Sequence, residues 1–357
     1  MNQQIRFCKS FDGTSIAYAV TGTGPPLVKA PHWMTHLEYE WQSPIWRPWI
    51  SALSREHRFL RMDQRANGLS DRDVDDLSFE ACVRDMETVV DAAGFDKFAL
   101  LGHSQGGAVA MEYAARNPER VSHLVLLGAY LKGWFKRNHS PQRTEELLAQ
   151  LKLIEAGWGR DDPAYRQMFA VQFMPDGNLE QLRSMAELQR VAVTAPSAMR
   201  LIRMFFDIDV SETAPRVRCP TLVLHAREDV RAPFEEGRSV ATLIPGARLV
   251  PLETRNHVLL EQEPAFRQFF DELRNFVPRS SHQKVASFQG LTGREAEILE
   301  RIAQGLDNAQ IAAHLGMSEK TVRNHITHIF DKMGVENRSQ AIVRARERGL
   351  GQQSRPS

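Results

Sequence analysis

From Ile5 to about Val277, short apolar runs alternate with helix-length amphipathic stretches. Ser15-Ile16-Ala17-Tyr18-Ala19-Val20 alternates large apolar and small residues, which predicts a half-buried strand. Continuous apolar runs follow at Leu27-Val28, Phe59-Leu60-Arg61-Met62 and Phe98-Ala99-Leu100-Leu101. Three more lie at His123-Leu124-Val125-Leu126-Leu127, Thr221-Leu222-Val223-Leu224 and Ala247-Arg248-Leu249-Val250. Such runs between helical stretches predict an α/β fold, a mainly parallel sheet with helices on both faces. Between Lys132 and about Asp209 the alternation gives way to helical patterns, which predicts a helical cap inserted over the sheet.

A second break falls at Pro278-Arg279-Ser280-Ser281-His282-Gln283-Lys284, which is polar and without apolar period. The expected organisation is a domain over 1–277 with its cap at about 132–209, a linker over 278–290, and an all-α module over 291–350. The last residues, Gly351 to Ser357, read as a frayed tail.

A length of 357 residues suits two domains, and 42% hydrophobic with 25% charged residues is ordinary for a globular chain. That excludes a disordered chain, a collagen-like fibre and a disulfide-stapled miniprotein. Cys8, Cys82 and Cys219 are odd in number and far apart, so no disulfide framework or zinc site is expected. His32 and His36 sit four apart but lack a third ligand, so neither metal nor cofactor is expected. No secretory pattern opens the chain, and the longest apolar stretch, Val121 to Leu131, is too short to span a membrane. The expectation is a reduced, cytoplasmic protein with no membrane partner.

Gly102-His103-Ser104-Gln105-Gly106 fits G-x-S-x-G between an apolar run and a helical run, Ala108 to Arg116. That strand–turn–helix context is what a nucleophile elbow needs, because small residues must flank a serine on a sharp turn. Asp229 follows the run Thr221–Leu224, and His257 follows Leu249-Val250. The order nucleophile, acid, base matches this architecture, and both partners lie where strand ends gather around Ser104. A serine needs an imidazole to take its proton and a carboxylate to hold that imidazole in the right tautomer.

On these residues the chain, over about 5–277, resembles the α/β-hydrolase superfamily. Asp63-Gln64-Arg65-Ala66-Asn67-Gly68-Leu69-Ser70 is similar to the family's D-x-R-G-x-G-x-S segment, with Ala66 where Gly is usual. Where the family often has His-Gly, this chain has Lys29-Ala30-Pro31-His32-Trp33-Met34. The resemblance implies an oxyanion hole from backbone N–H groups, that of Gln105 with Trp33 or Met34.

Trp33, Trp41, Trp46 and Trp49 crowd one short stretch. They either border the site or pack the insertion onto the sheet. His32, Trp33, Trp41, Trp46, His103 and Trp134 are the candidate pocket residues. Met168, Met174, Met185, Met199 and Met204, with several Phe, suggest an adaptable apolar lining. Together they favour a small apolar or aromatic ligand.

In the C-terminal module, Thr292 is a plausible N-cap and Gly305 a stop, which predicts a first helix to about Gln304. Asn308–Leu315, a Gly316-Met317 turn and a Ser318-capped helix from Glu319 to about Met333 predict a helix-turn-helix. A last helix is expected from about Arg338 to Arg348. Ile311, Ala312, Leu315, Val322, Ile326 and Ile329 form its apolar seam. The other face carries Lys320, Arg323, Asn324, Thr327 and His328, donors for base edges and phosphates. From Leu291-Thr292 through Asn337-Arg338 to Gly349-Leu350 the segment closely resembles the LuxR/GerE-type DNA-binding domain. That resemblance implies base contacts from Arg323, Asn324 and Thr327 and phosphate contacts from Ser318, Thr321, Lys332 and Asn337. It also implies dimerisation through the last helix and a promoter-DNA partner.

The 45 Lys+Arg and 44 Asp+Glu give a net charge of +1, which by itself argues against a nucleic-acid binder. Divided at Pro278, the sum changes meaning. Residues 278–357 hold 12 Lys+Arg against 8 Asp+Glu, or +4, leaving 33 against 36, or −3, before them. The reading is a one-component, homodimeric transcriptional regulator that senses a small ligand. Its alternative is a bifunctional regulator that also hydrolyses an ester or lactone signal through Ser104, His257 and Asp229. A hydrolase merely tethered to DNA is a third option.

Overall fold

The computed structural model describes residues 3–158, 160, 162–277, 291–347 and 350–351. Contacts divide the chain into two compact units, Met1–Val277 and Pro278–Ser357. The expected linker, 278–290, lies outside the described residues, as do Gly349 and all of the tail beyond Gly351.

The first unit is built on eight strands: β1 (Gln4–Lys9), β2 (Ser15–Thr21), β3 (Pro26–Lys29), β4 (Arg58–Met62), β5 (Phe98–His103), β6 (Val121–Leu127), β7 (Thr221–Ala226) and β8 (Arg248–Leu252). Their order across the sheet is β1-β2-β4-β3-β5-β6-β7-β8. β1 and β2 pair antiparallel, and so do β2 and β4; every later pairing is parallel. Strands β5 and β7 are buried along their whole length, as their unbroken apolar runs require. Strand β1 was not expected. Its exposed edge lacks an apolar run, and its order comes from pairing Gln4 to Val20 through Lys9 to Ser15 on β2.

Helices α1 (Leu37–Gln42), α2 (Trp46–Glu56), α3 (Phe79–Ala92) and α4 (Gly106–Arg116) connect the first strands. The inserted cap carries α5 (Pro141–Gly157), α6 (Pro163–Val171), α7 (Leu179–Ala192) and α8 (Ala195–Phe206). Ser140, Asn178 and Thr194 each accept an N-terminal backbone N–H of α5, α7 and α8, so the cap helices begin where side chains satisfy their free donors. A lone antiparallel bridge, Lys132 to Asp209, closes the base of the cap. Helices α9 (Phe234–Leu243) and α10 (Pro264–Phe276) complete the unit.

The Asp63–Ser70 segment is structural. Asp63 accepts the N–H groups of Leu37 and Leu69 at 3.0 and 2.9 Å. Arg65, fully buried, grips Asp85 through Nε and Nη2, both at 2.7 Å, and Asp12 at 2.9 Å. Ala66 has φ +64°, the left-handed conformation that explains why glycine suits that position.

The second unit holds α11 (Gly293–Ala303), α12 (Asn308–Leu315), α13 (Glu319–Met333) and α14 (Arg338–Glu347). Thr292 and Asp307 form capping boxes with Glu295 and Gln310. Gly316 and Gly334, at φ +63° and +61°, end α12 and α13 in left-handed caps. Ile298, Leu299, Ile302, Ile311, Val322 and Ile329 are fully buried between these helices.

Candidate active site and DNA-reading surface

Ser104 follows β5 and precedes α4 at φ +55°, a strained value for a residue with a side chain. The turn closes only because its neighbours are small. A Cβ on Gly102 would lie 2.7 Å from the Gly107 Cα, and one on Gly106 would lie 2.8 Å from the Pro31 carbonyl oxygen. The Ser104 N–H donates to the Leu127 carbonyl at 2.9 Å, which ties the elbow to β6.

Asp229 lies three residues beyond β7 and His257 five beyond β8, at the same end of the sheet. His257 Nδ1 and Asp229 Oδ2 are 2.6 Å apart and both side chains are buried. The other carboxylate oxygen accepts the N–H groups of Arg231 and Ala232 at 2.8 and 3.0 Å. Burial alone would push the Asp229 carboxyl up. The pairing with the His257 ring and the hydrogen bond from the Ala232 N–H outweigh it and hold the pKa below the ordinary range. Gly128 leaves room for the ring, since a Cβ there would come within 3.0 Å of His257 Cε1. The His257 backbone N–H donates to the Phe173 carbonyl of the cap at 2.9 Å, so the cap fixes the histidine loop. His257 Nε2 is buried and has no hydrogen-bond partner among the described residues.

Ser104, Gln105 and His257 line a small chamber of about 40 Å³ with Trp33, Tyr130, Trp134, Ile154, Phe173, Ile202, Phe205, Phe206, Arg231 and Ala232. Trp33 stacks on Trp158, ring centres 5.3 Å apart, and Trp134 stacks on Phe206 at 4.6 Å. Of the six candidate pocket residues, Trp33 and Trp134 line this chamber. Trp46 and His103 instead line a second, smaller cavity of about 20 Å³, with Lys29, Glu40 and Arg61 among its walls. His32 is buried, its ring 5.4 Å from Trp46 and 5.6 Å from His103. Trp41 is half-buried and outside both cavities. Trp49 packs on Phe266, Phe269 and Phe270 of α10 and donates to the Leu259 carbonyl at 3.0 Å. None of the five cap methionines lines the chamber; phenylalanine and isoleucine do. Two residues that the sequence did not single out, Arg231 and Tyr130, do face it.

Burial lowers His103 to about 3, with His257 adding to the effect, so His103 stays neutral behind the serine. Burial also draws Lys29 down to about 8; its ammonium lies 4.6 Å from the Trp46 ring centre. Among the described residues no group of three or more His, Cys, Asp or Glu could hold a metal ion.

On α13, Lys320, Arg323, Asn324, Thr327 and His328 are exposed along one face, while Val322, Ile326 and Ile329 are buried on the other. Ser318 caps α13 by accepting the Thr321 N–H at 3.2 Å, and Asn337 accepts the Gln340 N–H at 3.0 Å. Lys332 Nζ lies 2.7 Å from Glu295 Oε2. The implied phosphate residues Ser318, Thr321, Lys332 and Asn337 therefore also hold the unit's own helices in place.

Residues 38–214 match the alpha/beta hydrolase fold, and residues 289–345 match the bacterial regulatory proteins of the luxR family. The chain joins an α/β-hydrolase domain to a LuxR-family helix-turn-helix domain. That architecture is consistent with a one-component sensor-regulator.

The hydrolase domain is 29% identical over 224 residues to the protein named "Putative carbamate hydrolase RutD" of Azorhizobium caulinodans, covering 62% of this chain and 82% of that one. It is 26% identical over 269 residues to a pyrrolizixenacetamide deacetylase of Xenorhabdus hominickii, covering 73% and 94%. Among solved structures, an esterase of Exiguobacterium antarcticum superposes with a TM-score of 0.63 at 23% identity, covering 76% of this chain and 98% of that one. No described helix is long and apolar enough to cross a membrane.

Proposed function

We propose that this LuxR-family chain is a transcriptional regulator that binds a small, largely aromatic ligand in the Ser104 chamber and promoter DNA through α13. The chamber carries the first half of that reading. It is enclosed by aromatic side chains yet holds a few convergent polar groups, as small-molecule sites do. The exposed polar face of α13, set on a capped helix-turn-helix, carries the second half. A dimer would present two such helices to a pseudo-palindromic site. Ligand control then requires that the ligand bind one of two states of the chain more tightly.

A specific observation favours a second activity, hydrolysis of an ester, lactone or related acyl group. The 2.6 Å contact between His257 and Asp229 fixes the imidazole with Nδ1 facing the carboxylate and Nε2 unpartnered. In that mechanism Nε2 takes the Ser104 proton as the hydroxyl attacks the acyl carbon. The backbone N–H groups of Gln105 and Trp33 stabilise the oxyanion. His257 then protonates the leaving group, and water releases the acyl group from Ser104. The relatives named as hydrolases and a deacetylase support this reading of the fold.

Ser104→Ala separates the two. Ligand binding, ester and lactone turnover, and promoter output are measured in both forms. Ligand-dependent output retained in the variant, with no turnover by the wild type, leaves a sensor alone. Lost turnover with a prolonged transcriptional response supports the bifunctional form. Output that ignores every chamber ligand in both forms sinks the sensor reading.

A further inference from the structure

Among the described residues, Arg231 is the one arginine or lysine in the chamber's lining. It lines the chamber with Ser104 and His257, two residues after Asp229 on the loop leaving β7. Asp229 anchors the start of this residue by accepting its N–H, so the carboxylate that orients His257 also places the arginine. The guanidinium carbon lies 4.7 Å from the ring centres of both Trp134 and Phe173. Nη1 donates to Gln172 Oε1 at 3.0 Å.

Among the described residues no carboxylate forms an ion pair with Arg231. The nearby carboxylate, Asp229, faces the His257 ring at 2.6 Å. Burial lowers the Arg231 pKa to about 10, which still leaves it charged at neutral pH. A guanidinium has five N–H donors, and the Gln172 amide oxygen accepts from one of them. Ring faces offset only part of the desolvation of such a cation.

We infer that Arg231 receives a carboxylate of the ligand, so the molecule sensed or cleaved is an aromatic or apolar monoacid. The inference rests on the reading of the chamber as the ligand site. The planar fork suits a carboxylate, which accepts two parallel N–H bonds. A single guanidinium among rings suits one negative charge on an apolar body. A polyphosphate would call for several cations. The aromatic part lies against Trp33, Trp134 and Phe205 when the acid group meets Arg231. The competing role is a latch, in which Arg231 only ties Gln172 and the cap to the sheet.

The test titrates the full chain by calorimetry with phenylacetate, 3-phenylpropionate and indole-3-acetate, each paired with its primary amide. The wild type should bind acids roughly 10- to 100-fold more tightly than amides, the size expected of a charge-assisted hydrogen-bond pair. Arg231→Gln should erase that preference while keeping amide binding, which also shows that the variant is folded. Arg231→Lys should keep part of it, and Gln172→Ala nearly all of it. A preference that survives Arg231→Gln overturns the proposal. So does equal loss in Gln172→Ala, the signature of a latch. Amides binding as well as acids to the wild type overturns the carboxylate assignment and leaves the chamber reading intact. Binding of neither class overturns both.

Discussion

The two units hold their functional groups in opposite ways. In the hydrolase unit the candidate reactive groups are buried or half-buried and over-determined. Asp229 is fixed by three partners, His257 by a carboxylate and by a cap carbonyl, and Ser104 by a turn in which no larger neighbour fits. In the helix-turn-helix unit the candidate base-reading groups of α13 stand in solvent, and only the helix beneath them is fixed. On the proposed function, the difference follows from the targets. Acyl chemistry is accelerated by dipoles that cannot reorganise in a dry site, whereas DNA is met by donors that must reach outward through water. Substitutions in the first unit should therefore act steeply and locally, and those on α13 shallowly and in a sequence-dependent way.

The largest effect should come at the triad. If the chain hydrolyses acyl groups, Asp229→Asn should lower kcat by about 10⁴-fold, because the imidazole loses the partner that sets its tautomer. DNA affinity without ligand should not change. A loss below tenfold, measured on any ester the wild type turns over, would break the contrast between the units.

Next in size is Arg65→Ala. It strands the Asp85 carboxylate in the interior and should cost roughly 3–5 kcal/mol in the hydrolase unit. In urea, unfolding of that unit should move to lower denaturant while the helical unit's transition stays in place. Movement of both together would show that the units do not unfold separately.

On α13, Arg323→Ala should cost about 1–3 kcal/mol on the preferred DNA sequence and relax preference at one position. Lys320→Ala should weaken binding to all sequences alike and reduce its salt dependence. Identical profiles for the two would mean that α13 does not read bases.

The smallest effect concerns acid. Burial opposes ionisation of Glu295, but hydrogen bonds from Lys332 and from Thr292 outweigh it and hold its pKa near 2, below the ordinary 4.5. A depressed carboxylate stabilises the fold above its unfolded pKa and loses that contribution on protonation. The helical unit should therefore lose thermal stability as pH falls from about 4.5 towards 2, and Glu295→Gln should flatten that slope. An unchanged slope in the variant would assign the acid sensitivity to other groups.

How far the sequence revealed each unit follows the same division. Continuous apolar runs disclosed β5, β6 and β7 because both faces of those strands are buried, while β1, an exposed edge, left no such mark. The helices of the C-terminal unit were legible nearly to the residue because caps such as Thr292 and Ser318 are local signals. Ser104 was legible for a similar reason: the strained turn demands glycines nearby. Arg231 was not, since a lone arginine has no period and its meaning depends on Trp134 and Phe173, far away in sequence. The tryptophan cluster misled in part. Proximity in sequence placed Trp33, Trp46 and Trp49 together, but α2 turns the latter two away from the Ser104 chamber, towards the second cavity.

The central claim is that occupancy of the Ser104 chamber controls DNA binding by the LuxR-family domain. It is tested most directly by esterifying Ser104 with a small aryl fluorophosphonate. The Kd of modified and unmodified full-length chain is then measured by fluorescence anisotropy. The DNA is a sequence that the chain itself selects from a random pool. The account predicts a change in Kd of about 5- to 150-fold, the usual range for coupled sites, and none when Ser104→Ala is treated alike. Equal Kd for fully modified and unmodified chain would contradict it.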